Sequence, residues 1–309
     1  MSKEFNGGAG VALITPMTKS GRIDWKEFQK LAAYSAEYMD FLVVLGTTAE
    51  TPTLTDSEKS KLIDIALRES YDKPVVVGVS SNDTKKTVKN TKLAMDKGAD
   101  AVLDCISYYN KPSQSGIIAH CEELSSAVNA PTLLYNVPGR TGFNIDANTQ
   151  RIIALRFSNV IGVKEASNLK QVGAVIKEIS ELPPFVDYMV LSGNDDQTVK
   201  IMWMCANAKI KSGAISVVGN AVAPEMKYLV DLCDNHQWKA ANRLSDSMDL
   251  LNKAAFCAGN PASIKEFMKQ AGMIKSSRVR LPLVSPSAAQ DMDLIKRAVA
   301  NSRQQGWMK

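Results

Sequence analysis

Histidine is almost missing from this chain: His120 and His236 are the only two in 309 residues. Both fall in stretches with helical patterning, so no catalytic triad and no histidine-based metal constellation is visible. Proton transfer must then rest with tyrosine, threonine, lysine or carboxylates. Cysteine is sparse as well, with Cys105, Cys121, Cys205, Cys233 and Cys257 widely spaced. The odd number and the gaps argue against a disulfide framework and a zinc pair, and buried thiols in a reducing cytoplasm are expected. No segment approaches the ~20 apolar residues of a membrane span. The opening MSKEFNGGAGVALITPM is too short and too broken by glycine and proline to read as a signal peptide. No run of lysine and arginine marks a nucleic-acid face, because the net charge of +5 is spread along the sequence. No GxGxxG follows the first apolar run and no P-loop occurs, which removes the usual nucleotide-binding signatures.

What is present is the composition of a globular protein, 45% hydrophobic and 22% charged. The length fits one large α/β barrel or two ordinary domains. Short runs rich in Val, Ile and Leu recur at 11–15, 41–45, 75–79, 101–105, 132–136, 160–164, 188–191 and 214–218. They lack period-two alternation, as parallel strands buried on both faces do. Amphipathic stretches lie between them. Asp24 is a plausible N-cap for a helix to Met39, and Thr55 and Glu58 have capping-box spacing. A further helix from Asp83 to Lys97 stops at Gly98. Others fill 114–128, 146–156, 168–180 and 195–206. Eight strand–helix units predict a closed (β/α)8 TIM barrel over 1–219, with a doubly wound open sheet as the competitor. Residues 220–309, including 238–256 and 264–271, read as a helical C-terminal extension.

Barrel active sites lie at the C-terminal ends of the strands. Lys164 ends the core-strand run Val160-Ile161-Gly162-Val163. Burial there would lower its pKa and free the amine to attack a carbonyl. The alternative is a lysine that reaches the rim or pairs with a carboxylate. Tyr135, at the end of the neighbouring run, is either a proton shuttle to that centre or a core tyrosine with a satisfied hydroxyl. Thr47 and Thr48 follow a strand-end glycine and suit a carboxylate, or a helix cap. Arg140, in a Pro-Gly loop, is either a bidentate carboxylate ligand or a surface residue. Tyr108 and Tyr109 are either packing residues or contacts to another subunit, and spacing does not choose.

Taken together, GTTAE at 46–50, YYNKPSQSG at 108–116, YNVPGRTG at 135–142, GVKEA at 162–166 and LSGND at 191–195 resemble the dihydrodipicolinate synthase/N-acetylneuraminate lyase family. The opening GVALITPM and the later GAISVVGN and NPASIK are also similar to it. The Thr47-Thr48 pair and Arg140 resemble the synthase branch rather than the sialic acid lyases. The resemblance implies condensation of pyruvate with L-aspartate 4-semialdehyde through a Schiff base on Lys164. It implies Tyr135 as general acid/base, with a relay through Thr47 and through Tyr109 from a partner subunit. It implies that Thr48 holds the pyruvate carboxylate, that Arg140 binds the second substrate, and that Gly193 and Ile215 line the pocket. No cofactor or metal is implied, since the iminium supplies the positive charge. A homotetramer, a dimer of tight dimers, is expected. The competing readings are a pyruvate-dependent aldolase acting on a sugar acid and a barrel that has lost catalysis. Two departures matter: Ala49 replaces a usual glycine, strained only if that position has positive φ, and Gly139 replaces a common serine, which should loosen the Arg140 loop. Lys86, Asp56 and Lys59 stand where the family's lysine effector is bound, and a cation facing that effector predicts weak or absent feedback inhibition.

Overall fold

The structure, a computed structural model, describes residues 5–308. The strands are β1 Gly8–Ala12, β2 Phe41–Val44, β3 Val75–Gly78, β4 Ala101–Asp104, β5 Thr132–Asn136, β6 Val160–Glu165, β7 Met189–Ser192 and β8 Ser212–Ser216. The helices that alternate with them are α1 Trp25–Tyr38, α2 Asp56–Glu69, α3 Thr84–Asp96, α4 Gln114–Ala127, the single-turn α5 Pro138–Thr141, α6 Ala147–Arg156, α7 Leu169–Ser180 and α8 Thr198–Asn207. Four more close the chain: α9 Ala223–Asp234, α10 Trp238–Phe256, α11 Ala262–Gln270 and α12 Ala289–Gln304. The strands are hydrogen-bonded in sequence order into one closed barrel, which excludes the open sheet. Among the described residues no helix is long and apolar enough to cross a membrane, and all five cysteines are free.

Local chemistry accounts for the element ends. Asp24 accepts from the Glu27 amide, and Thr55 and Glu58 form the reciprocal capping box. Asp83, Ser113 and Asn168 cap α3, α4 and α7 through their side chains. Each such cap is worth about 1 kcal/mol. Gly98 takes φ 97° just past α3, the left-handed stop that its position predicts.

The first and last strands begin earlier than hydropathy predicts: β1 at Gly8 rather than Val11, β8 at Ser212 rather than Ala214. Glycine is the reason. A Cβ on Gly10 would lie 2.1 Å from the Phe41 ring, and one on Gly213 would lie 2.2 Å from the Gly8 carbonyl oxygen. Close backbone approach selects residues that no apolar-run criterion detects.

Of the described residues, 5–8 pack with 74–215 as one compact unit, and 9–73 with 216–308 as another. In the first, the outward side chains Leu134, Val163 and Val190 pack with Val175, Ile176, Ile201 and Cys205 of the surrounding helices. In the second, the buried Asn220 amide donates to the Ala12 and Val217 carbonyls and accepts from the Ile14 amide. That bond set ties the end of β1 to the turn that follows β8.

Candidate active site

Strands β5 and β6 pair in parallel, with Leu134 opposite Val163, Tyr135 opposite Lys164 and Asn136 opposite Glu165. Side chains alternate along a strand. Since Val163 and Leu134 belong to the core under the helices, Tyr135 and Lys164 project together from the other face. The Lys164 amine lies 4.4 Å from the centre of the Tyr135 ring. Lys164 is only 5% exposed and Tyr135 8%, so the lysine neither reaches the rim nor stands in bulk water.

Burial sets the chemistry of the amine. Desolvation pulls the Lys164 pKa down to about 8; the nearby Asp195 carboxylate opposes that shift, and the Arg140 guanidinium adds to it. Asp195 is buried in the single 3-10 turn Asp195–Gln197 that follows β7. Asp195 closes the motif LSGND, and an acid at a strand end is the sequence signal that points to it. Arg140 sits in α5 with its side chain exposed, while influencing Lys164 electrostatically. The one-turn helix positions it: Pro138 starts the turn and Gly142, at φ 80°, ends it. A Cβ on Gly139 would meet nothing, so the family's serine would fit there.

Gly193 fills a tight place. Its amide donates to the Glu165 carbonyl at 2.8 Å, and a Cβ would lie 2.7 Å from that of Ala166. Ile215 is buried on β8. Tyr109 is 88% exposed on a loop where Ile106, Tyr109 and Lys111 all have positive φ. Its ring is therefore not a packing residue within this protomer.

Thr47 and Thr48 belong to the other unit, in the 3-10 turn Thr47–Ala49 after β2. The N-cap position is Gly46, with no side-chain cap bond, so neither threonine serves as a helix cap. Thr48 is buried and its hydroxyl accepts from the Asn260 amide at 3.0 Å. Ala49 does not have positive φ; Glu50 does, at 58°, so the extra methyl of Ala49 carries no backbone strain. The Glu50 carboxylate is buried and accepts from Lys265 Nζ and from the Arg280 amide. Asp56 and Lys59 lie one turn apart on α2, 3.9 Å from each other, and Lys86 is exposed on α3. The histidines stand elsewhere: His120 bridges Asp104 and Thr84 behind β4, and His236 packs against Trp238.

A readily deprotonated amine in a buried cup, a phenol beside it and a guanidinium at the margin are suited to imine formation from a small keto acid. The model of the dihydrodipicolinate synthetase family matches residues 6–301. A 4-hydroxy-tetrahydrodipicolinate synthase of Parabacteroides distasonis is 41% identical over 280 residues, 90% of this chain and 91% of that protein. The crystal structure of dihydrodipicolinate synthase from Thermotoga maritima superimposes with a TM-score of 0.90 at 33% identity, covering 99% of this chain and 100% of that one. The synthase of Acinetobacter baumannii, solved in complex with pyruvate, gives 0.89 at 31% identity, covering 97% and 99%.

Proposed function

The chain belongs to the dihydrodipicolinate synthetase family, and we propose that Lys164 is the nucleophile with which it condenses pyruvate and L-aspartate 4-semialdehyde. The reaction is that of a 4-hydroxy-tetrahydrodipicolinate synthase, a lyase of lysine and diaminopimelate biosynthesis. One observation carries the assignment of Lys164: its buried amine, held near pKa 8, lies 4.4 Å from the Tyr135 ring.

The free amine of Lys164 attacks the ketone carbon of pyruvate, and the carbonyl oxygen leaves as water. The iminium is an electron sink, so a methyl proton is lost and an enamine forms. The enamine carbon attacks the aldehyde of the second substrate, whose own amine then displaces Lys164 as the ring closes. Tyr135 moves the protons as general acid and base. Arg140 holds the carboxylate of the semialdehyde, a task its exposed fork suits, while Gly193 and Ile215 line the pocket. For Thr47 as proton relay and Thr48 as binder of the pyruvate carboxylate, the proposal rests on the motif alone. Tyr109 completes the relay from a partner subunit in a tetramer of paired dimers, a role its exposure supports. Residues 1–219 make up the catalytic barrel and 220–309 its helical extension. Five free thiols fit a reducing compartment, the cytoplasm.

Incubation with pyruvate and borohydride, followed by peptide mass mapping, tests the assignment. A reduced pyruvate adduct on Lys164 is expected, together with turnover of aspartate semialdehyde and none of N-acetylneuraminate. A wild-type protein unlabelled at Lys164 refutes it.

A further inference from the structure

Behind the reactive pair, on the helix-facing side of the same two strands, the next residue of each strand is polar and buried. Asn136 is 1% exposed and Glu165 is fully buried. Asn136 Nδ2 donates to Glu165 Oε1 at 2.8 Å, and Gln150 Nε2 of α6 donates to Glu165 Oε2 at 3.1 Å. The other side of the Asn136 amide is occupied too. Its Oδ1 accepts from the Ile145 amide at 3.0 Å, and its Nδ2 also reaches Asn144 Oδ1 at 2.9 Å. The Ile145 carbonyl accepts from Gln150 and Gln171. The result is a connected set of bonds joining β5, β6, α6 and α7.

Such a set is expensive. Burial pushes the Glu165 carboxyl up to about 7, against the donors that lower it. An apolar pair of similar size would fill the space at less desolvation cost. What hydrogen bonds add and apolar contacts do not is register. Register needs fixing here, because the β5–β6 ladder shifts between Thr132 and Leu133: Thr132 pairs with Val160, and Leu133 already pairs with Gly162, leaving Ile161 extra. A one-residue slip would send Lys164 to the opposite face.

We infer that Asn136 and Glu165 are positioning residues for the reaction, a hydrogen-bonded latch on the outer face that holds Lys164 beside Tyr135 on the inner one. The inference rests on the reading of Lys164 as the Schiff-base lysine. Neither residue touches substrate, and the latch acts through the backbone of the two strands.

The test inverts the bond. Glu165→Gln sets the new amide against the Asn136 and Gln150 donors, and Asn136→Asp sets one carboxyl against another. In the double variant, the amide nitrogen introduced at position 165 donates to the carboxylate introduced at position 136. The oxygen of that same amide accepts from Gln150, and a flip of the Asn144 amide, which gives up its exposed bond to Asp146, turns a donor to the carboxylate at position 136, so the latch re-forms with reversed polarity. The rate of pyruvate trapping on Lys164 by cyanoborohydride, the KM for pyruvate and thermal unfolding are measured for all four proteins. Each single variant is expected to trap pyruvate about tenfold slower or worse, since small misplacements of reacting groups cost that much, with KM changed far less. The double variant is expected to return to within about threefold of wild type. Folded single variants with the wild-type rate overturn the latch and leave the Lys164 reading intact. If a single variant does not fold, the double variant decides: folded and slow overturns the latch, folded and fast supports it. A wild-type protein without label at Lys164 overturns both.

Discussion

Replacing Asp195 with asparagine should make the enzyme capture pyruvate faster at neutral pH, although it removes a charge from the site. In the proposed reaction only the free amine of Lys164 attacks, and the Asp195 carboxylate favours its protonated form. With a pKa of about 8, roughly 9% of the amine is free at pH 7, whereas the ordinary lysine value of 10.5 would leave about 0.03%. Burial therefore supplies about a 300-fold gain in nucleophile. Below pH 8 the capture rate should fall about tenfold per pH unit, and above it the rate should level off. Asp195→Asn keeps the shape and moves the inflection to lower pH. The gain at pH 7 is then bounded at roughly elevenfold, the step from 9% free amine to all of it. Arg140→Gln removes a cation and moves the inflection the other way, slowing capture at pH 7. Pyruvate alone is used, so that the proposed role of Arg140 toward the second substrate does not enter. The assay is the initial rate of the reduced adduct on Lys164, with cyanoborohydride, between pH 6 and 10. An inflection near the ordinary lysine value, or shifts of the same sign in the two variants, would refute the reasoning.

The same displaced pKa costs stability. The folded state binds fewer protons than the unfolded chain between about pH 8 and 10.5, so stability rises with pH across that window and the full cost stands below it. The cost is about 3 kcal/mol, and Lys164→Met should recover up to that amount at pH 7 by urea unfolding while abolishing activity; an unchanged or lower midpoint would contradict it. His120 gives the opposite pH slope. Burial pulls its pKa down, but the hydrogen bond from its imidazole to Asp104 and the charge of that carboxylate outweigh it, and the net shift is upward. Its contribution is fully present below the unfolded value of about 6.5 and is lost as pH rises through the folded one. The melting-temperature gap between wild type and His120→Gln should accordingly be widest in mild acid and narrow above neutrality. Lys265 and Glu50 form an ion pair with no exposed side-chain surface. Lys265→Met strands a buried carboxylate and should cost roughly 3–5 kcal/mol, whereas Glu50→Gln with Lys265→Met should cost clearly less; equal losses in urea unfolding would show that the pair is not coupled.

The sequence made the inner strands and most helix starts legible because each is a local matter. Apolar runs locate β2 to β7 to within a residue or so, side-chain caps mark α1, α2 and α3, and α10 spans 238–256 as its periodicity indicates. The misplaced ends of β1 and β8 depend on Gly8, Gly10 and Gly213, whose role is defined by a neighbour distant in sequence. The turns that shape the strand ends were also hidden. Leu45, Glu50, Ile106, Tyr109 and Lys111 take positive φ without being glycine, and turn rules built on glycine pass over them. Within the site, Lys164 and Tyr135 are readable because each lies near the C-terminal end of an apolar run. The effect of Asp195 on Lys164 is not, because it depends on proximity across β6 and β7. The separation of the chain into units that interleave along the sequence follows from packing alone.

The bulge and the latch make sense only together. Ile161 is one residue too many for the β5–β6 ladder, and the ladder absorbs it between Thr132 and Leu133, before Tyr135 and Lys164. From Leu133 onward the two strands march in step to Asn136 and Glu165. If the extra residue were absorbed later, the alternation would reverse. Glu165 would face the inside of the barrel, and the Lys164 amine would enter the apolar layer formed by Val175, Ile176 and Ile201. In that arrangement Gly162 would stand opposite Leu134, where Val163 stands now, so the outer layer would lose an apolar side chain. A buried carboxyl that demands two amide donors at one end of the ladder discriminates strongly, because the shifted register leaves it without them. The costly acid beside Lys164 thus has a physical reason to be there: it makes the wrong register more expensive than the right one.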